Sequence, residues 1–139
     1  MNPKEYLSQY QESLLRIQSL NEHLANLQAE CESLRNARGE RIRLDSAVAN
    51  LVDTEKQIEQ QTEIMKDLQQ EVSRVILMIQ NCNHRLLLTM VYVQGKTLVD
   101  AAVTMNYSYR QAKRMHRAAL HDVAGILAQD AHASRSGAV

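Results

Sequence analysis

GKTLVDAAVTMNYSYRQAKRMHRAAL, residues 95–120, carries two short helical patterns joined by a turn, and its reading decides the fold. Thr97 suits the N-cap of "LVDAAVTM", with Asp100 at the third helical position as a capping-box-like acid. Leu98, Ala101, Ala102 and Met105 then share one face, and the small alanine pair lets another helix approach closely. "MNYS" is the turn, where Asn106 is the non-glycine type that best tolerates a left-handed backbone. Ser108 and Gln111 form an S-x-x-Q capping box that opens the next helix. In that helix Ala112, Met115, Ala119 and Leu120 are expected to face inward, leaving Tyr109, Arg110, Lys113, Arg114 and Arg117 outside.

Two short helices, a tight turn and a basic outer face on the second helix make a helix-turn-helix pattern. The residue types fit nucleic acid. An arginine guanidinium pairs bidentately with guanine O6 and N7, lysine supplies charge to phosphate, and tyrosine adds a donor and apolar area. A solvated helix face also carries charges. Here, however, four cations lie between Arg110 and Arg117 with no acid among them, so pairing within the helix does not neutralise them.

Composition points the same way. The 139 residues contain one proline, four glycines and no Phe or Trp, which leaves little turn chemistry for strands and favours long helices. An all-α protein is expected. The net charge is zero, yet residues 1–80 hold nine Lys/Arg against thirteen Asp/Glu while residues 81–139 hold seven against three. The basic C-terminal part calls for an acidic partner. Cys31 and Cys82 are far apart without metal-ligand spacing, which is consistent with reduced thiols. No apolar run reaches the roughly 18 residues of a membrane span, and none resembles a signal peptide, so a cytoplasmic protein without membrane contact is expected.

Ahead of the quoted stretch the period is that of coiled coils. Leu7, Tyr10, Leu14 and Ile17, then Leu20, Leu24, Leu27, Cys31 and Leu34, step by three and four, with a slip between Ile17 and Leu20. The first helix should end near Arg38, with Gly39 at its C′ position, and Asp45 or Ser46 should cap the next. The second stripe reads Leu44, Val48, Leu51, Ile58, Met65, Val72, Ile76 and Ile79, with Glu55, Thr62 and Gln69 at the remaining seam positions. Each helix would span on the order of 50 Å, and the short link predicts an antiparallel hairpin. A third helix begins at Asn81 or Asn83, buries Leu86, Leu87, Met90, Val91 and Val93, and ends at Gly95. The resulting division is a helical hairpin for oligomerisation over 1–80, a DNA-binding domain over 81–127 and a flexible tail over 128–139.

The residues from Asn83 to Val123 resemble region 4 of bacterial sigma factors, the helix-turn-helix that reads the promoter −35 element. The shared frame is R-L-L-L-x-x-x-Y-x-x-G-K-T, then Y-S, then R-Q-x-x-R-x-H-x-x-A-L. With its N-terminal coiled coil, the chain is similar to small phage and prophage regulators built on that module. The resemblance implies that Tyr109, Arg110, Lys113, Arg114 and Arg117 meet double-stranded DNA in the major groove, with Ser108 on a phosphate. It also implies a homo-oligomer of two or more chains and allows contact with RNA polymerase. Ala101, Ala112 and Asn106 depart from the usual pattern, where larger aliphatics and glycine stand.

No catalytic constellation, cofactor loop or metal spacing is present, so neither an enzyme nor a cofactor is expected. His116 and His121 are five apart, which does not align two ligands on a helix face; His116 is expected to make an interhelical polar contact and His84 to sit on the surface. Two other functions share the pattern. A small terminase-like packaging component would assemble as a ring, and a protein-interaction module would bind a host protein without DNA.

Overall fold

In a computed structural model, which describes residues 2–137, the described residues form five α-helices and one π-turn, without a strand. They are α1 (Pro3–Arg35), α2 (Arg41–Leu77), α3 (Cys82–Leu88), the π-turn (Thr89–Val93), α4 (Leu98–Met105) and α5 (Tyr109–Gly137). Residues 12–66 make one compact unit. The two ends, up to Gln11 and from Asp67 onward, make the other.

The first unit is the body of the hairpin. One groove is lined by Gln28, Cys31, Glu32 and Arg35 of α1 with Val48 and Leu51 of α2, and another by Arg16, Ser19 and Leu20 with Gln57, Gln60 and Gln61. Late residues of α1 thus meet early residues of α2, and the pair is antiparallel. On α1 the enclosed positions are Ser13, Leu14, Ile17, Leu20, Leu24, Leu27, Cys31 and Leu34, and from Ser13 through Ile17 to Leu34 they follow a three–four alternation. Fully buried Ser13 joins half-buried Leu14 on this face, so the step from Ile17 to Leu20 continues an alternation that starts at Ser13.

The stripe on α2 is also corrected. Its enclosed positions are Leu44, Ala47, Leu51, Thr54, Ile58, Gln61, Thr62 and Met65, whereas Val48, Val52 and Glu55 are exposed. Leu44, Leu51, Ile58 and Met65 lie on the seam as expected, and only the positions between them shift by one, to Ala47 and Thr54, because a small and a polar residue look like surface residues in sequence. Thr54 is accommodated by returning its hydroxyl to the Asn50 carbonyl of its own helix, at 2.8 Å.

The link differs as well. α1 stops at Arg35, so Gly39, with φ +79°, lies inside the loop and not at the C′ position. α2 begins at Arg41, ahead of Asp45 and Ser46: the Glu40 carbonyl accepts from Leu44 N at 2.9 Å, and the Glu40 carboxylate lies 3.4 Å from Arg43. Starting there brings Leu44 onto the seam.

In the second unit, Leu7 and Tyr10 of α1, Val72, Val75 and Ile76 at the end of α2, and Ile79 just beyond it are buried, as the apolar surplus of "VSRVILMIQ" requires. Asn81 is the N-cap of α3, accepting from Asn83 N and His84 N. Leu87, Met90 and Ala101 form a core on which Val91, Leu98, Met105 and Met115 pack. Leu86 is exposed, contrary to expectation; the apolar run "RLLLTMVYV" offers more candidates than one face accepts, and the π-turn widens the helix so that Met90 and Tyr92 both turn inward. Burying each such side chain contributes roughly 1.5–3 kcal/mol.

α5 runs on to Gly137, through most of the segment read as a tail. Ala128 and Ala131 are strong helix formers, and Asp130 is tied to Arg74 at 3.0 Å, whose guanidinium also holds Glu71 at 2.8 Å. Residues 138 and 139 of that tail, and the side chains from His132 onward, lie outside the described residues. No helix among the described residues is long and apolar enough to cross a membrane.

Candidate nucleic-acid interface

Local chemistry fixes the two helices of the quoted stretch. Thr97 Oγ1 accepts from Asp100 N at 3.1 Å, starting α4. Asn106 ends it in the left-handed conformation, φ 59° and ψ 37°. Its N–H returns to α4, and Tyr107 N donates to the Ala102 carbonyl at 2.9 Å, closing the turn as C-terminal caps do. Ser108 then caps α5 reciprocally: Gln111 N donates to Ser108 Oγ at 3.1 Å and Ser108 N to Gln111 Oε1 at 2.9 Å. Because Ser108 Oγ is used as an acceptor there, its hydroxyl proton is still available to an incoming anion.

α5 packs on α3 and α4 through its inner face. Ala112, Ala119 and Val123 are buried, and Met115, His116 and Leu120 half-buried. The opposite face carries Arg110, Lys113, Arg114 and Arg117, all exposed, at positions i, i+3, i+4 and i+7 of one helix. The structure brings these four together on one surface with no acid between them. Tyr109 is half exposed, and the Lys113 ammonium rests 4.7 Å from the centre of its ring. This contact orders a side chain that would otherwise sweep freely. The acid next along the helix, Asp122, is taken up from below: His84 Nδ1–H donates to its Oδ2 at 2.6 Å. His84 is therefore a half-buried interhelical partner and not the surface residue expected from its place in the first turn of α3.

Behind the basic face, His116 makes the interhelical contact expected of it. Its Nε2 is 2.7 Å from the Tyr92 hydroxyl, with the two rings stacked 5.8 Å apart. Burial, and the charge of Lys4 nearby, hold the His116 imidazole below its ordinary pKa. Burial pushes the Tyr92 phenol up to about 12. Tyr92 and Gln11, which donates to the Tyr92 carbonyl at 2.9 Å, escape a sequence reading because their partners lie 24 and 81 residues away. Among the described residues no group of three metal-ligating side chains gathers.

A model of a family described as "Protein of unknown function (DUF1492)" matches residues 29–123, and the chain belongs to that family. No curated protein and no solved structure matches it.

Proposed function

We propose that this DUF1492 member is a DNA-binding transcriptional regulator that lays the first turns of α5 in the major groove. The observation that supports it is the unneutralised surface of Arg110, Lys113, Arg114 and Arg117 on a capped helix that follows another helix after a tight left-handed turn. Lys113 and Arg114 would meet phosphates and supply affinity, while Tyr109 and Arg110, nearest the helix N-terminus, would reach base edges. Ser108 would donate its hydroxyl to a phosphate, and Arg117 would extend the charged track. The hairpin would hold two or more chains together so that reading heads meet repeated half-sites. Exposed Ile42, Val52 and Ile64, lying off the intramolecular seam, support such association.

Titration onto duplex DNA at several salt concentrations tests this. Wild-type affinity should fall steeply with salt. A variant with Arg110, Lys113 and Arg114 all changed to Ala should bind more weakly, with a slope shallower by about two, the phosphate contacts of Lys113 and Arg114 being lost. If neither protein binds at low salt, the reading fails and the protein-interaction alternative takes its place.

A further inference from the structure

The basic face of α5 has a line of polar contacts behind it that begins near the start of the chain. Gln11 of α1 donates from Nε2 to the carbonyls of Tyr92, at 2.9 Å, and Val93, at 3.3 Å. Both carbonyls stand where the π-turn ends. There the bonds reach five and six residues back, from Gln94 N to the Thr89 carbonyl and from Lys96 N to the Met90 carbonyl, both at 2.9 Å. The chain then leaves the helical direction at Gly95, φ +75°. It is this positive φ that calls for glycine at Gly95; the Gln11 amide lies against it, with Oε1 3.4 Å from where a β-carbon would stand. Tyr92 carries the line onward, since its buried ring ends in the hydroxyl bonded to His116. His116 sits on α5 between Arg114 and Arg117, on the side turned away from the cations. The first eleven residues belong to the same compact unit as α3, α4 and α5.

We propose that Gln11 is a positioning residue for the basic helix: by holding the π-turn, and through Tyr92 and His116, it sets how α5 presents its cations. The segment that presents the basic face is then a composite that includes the start of α1, and a partner that displaces this part of α1 would loosen the reading helix. The effect on DNA rests on the function proposed above, whereas the contact line itself does not.

The experiment is site-resolved amide exchange on the full chain, beside DNA titration, for wild type, Gln11→Leu, Tyr92→Phe and, as a control on the exposed side of α1, Gln18→Leu. Losing one hydrogen bond should raise local opening about three- to tenfold. Faster exchange is expected at Gln94, Lys96 and residues 113–119 in both test variants, with Val72 and Val75 of α2 unchanged. DNA affinity should fall by no more than the same factor, because only molecules holding α5 in place are competent. Gln11→Glu keeps the side-chain shape but turns a carboxylate toward the two carbonyls, and should show the larger effect. Unchanged exchange at residues 113–119, or an equal rise everywhere, overturns the proposal. If wild type ignores DNA while exchange at 113–119 rises, the contact line stands and the DNA function falls. If DNA binding depends on the basic face while exchange stays flat, the reverse holds.

Discussion

The Tyr92 hydroxyl and His116 Nε2 lie 2.7 Å apart beneath stacked rings, joining the π-turn to the inner side of the basic helix. A polar pair at this depth is stable only while its members stay neutral, because a charge there would lose its water without gaining a counter-ion. After burial itself, the charge of Lys4 also opposes protonation of His116.

Acid should therefore weaken the fold through His116. The unfolded chain takes up a proton as pH falls through the ordinary value of 6.5, while folded His116, held lower, does not. Stability is full above that value and is lost as pH falls below it, until the folded form protonates too. Urea midpoints measured between about pH 7.5 and 5.5 should drop for wild type. His116→Gln should lessen the drop.

In the hairpin, Gln61 Oε1 is buried without a hydrogen-bond partner. Gln61→Leu fills the same seam position with an apolar group and should stabilise the chain by about 1 kcal/mol, read from denaturant unfolding. A lower midpoint would show that the amide has a role in the hairpin that its geometry does not reveal.

At the turn, Asn106 occupies φ 59°. Asn106→Gly should be neutral or slightly stabilising, whereas Asn106→Val should cost about 1–2 kcal/mol. Ser108→Ala, which removes the acceptor for Gln111 N, should cost about 1 kcal/mol. Thermal denaturation of the three variants checks the order.

On the basic face, Tyr109→Ala frees Lys113 from the ring it rests on. If DNA binding is as proposed, this variant should bind duplex DNA a few-fold more weakly, and its preferred site more weakly still, with its salt slope unchanged, since no charge is lost. Arg114→Ala should instead lower the slope by about one. A slope that changes equally in both would sink the division of labour between them.

Much of this was legible locally. The capping pairs Thr97–Asp100 and Ser108–Gln111, the left-handed Asn106, and the inward set of Ala112, Met115 and Ala119 follow from residues three or four apart, which is the range over which helical geometry repeats. The outward position of Arg110, Lys113, Arg114 and Arg117 follows from the same periodicity.

What escaped the sequence was decided between elements. That Ser13 is buried beside Leu14, and that Ala47 and not Val48 lies on the seam, depends on which face the opposing helix covers, and helical spacing permits either. The π-turn at Thr89–Val93 has no residue signature here; it is held by Gln11 from the far end of the chain. His84 and Asp122, 38 residues apart, found each other because α3 and α5 pack together. Short-range hydrogen bonding and side-chain period thus specify the helices, the capped turn between α4 and α5 and the charged face, but not the end of α1 at Arg35, the start of α2 at Arg41 or the end of α5 at Gly137. Register and the support behind that face come from packing between elements, because both depend on close approach between side chains whose separation along the chain carries no periodic signal.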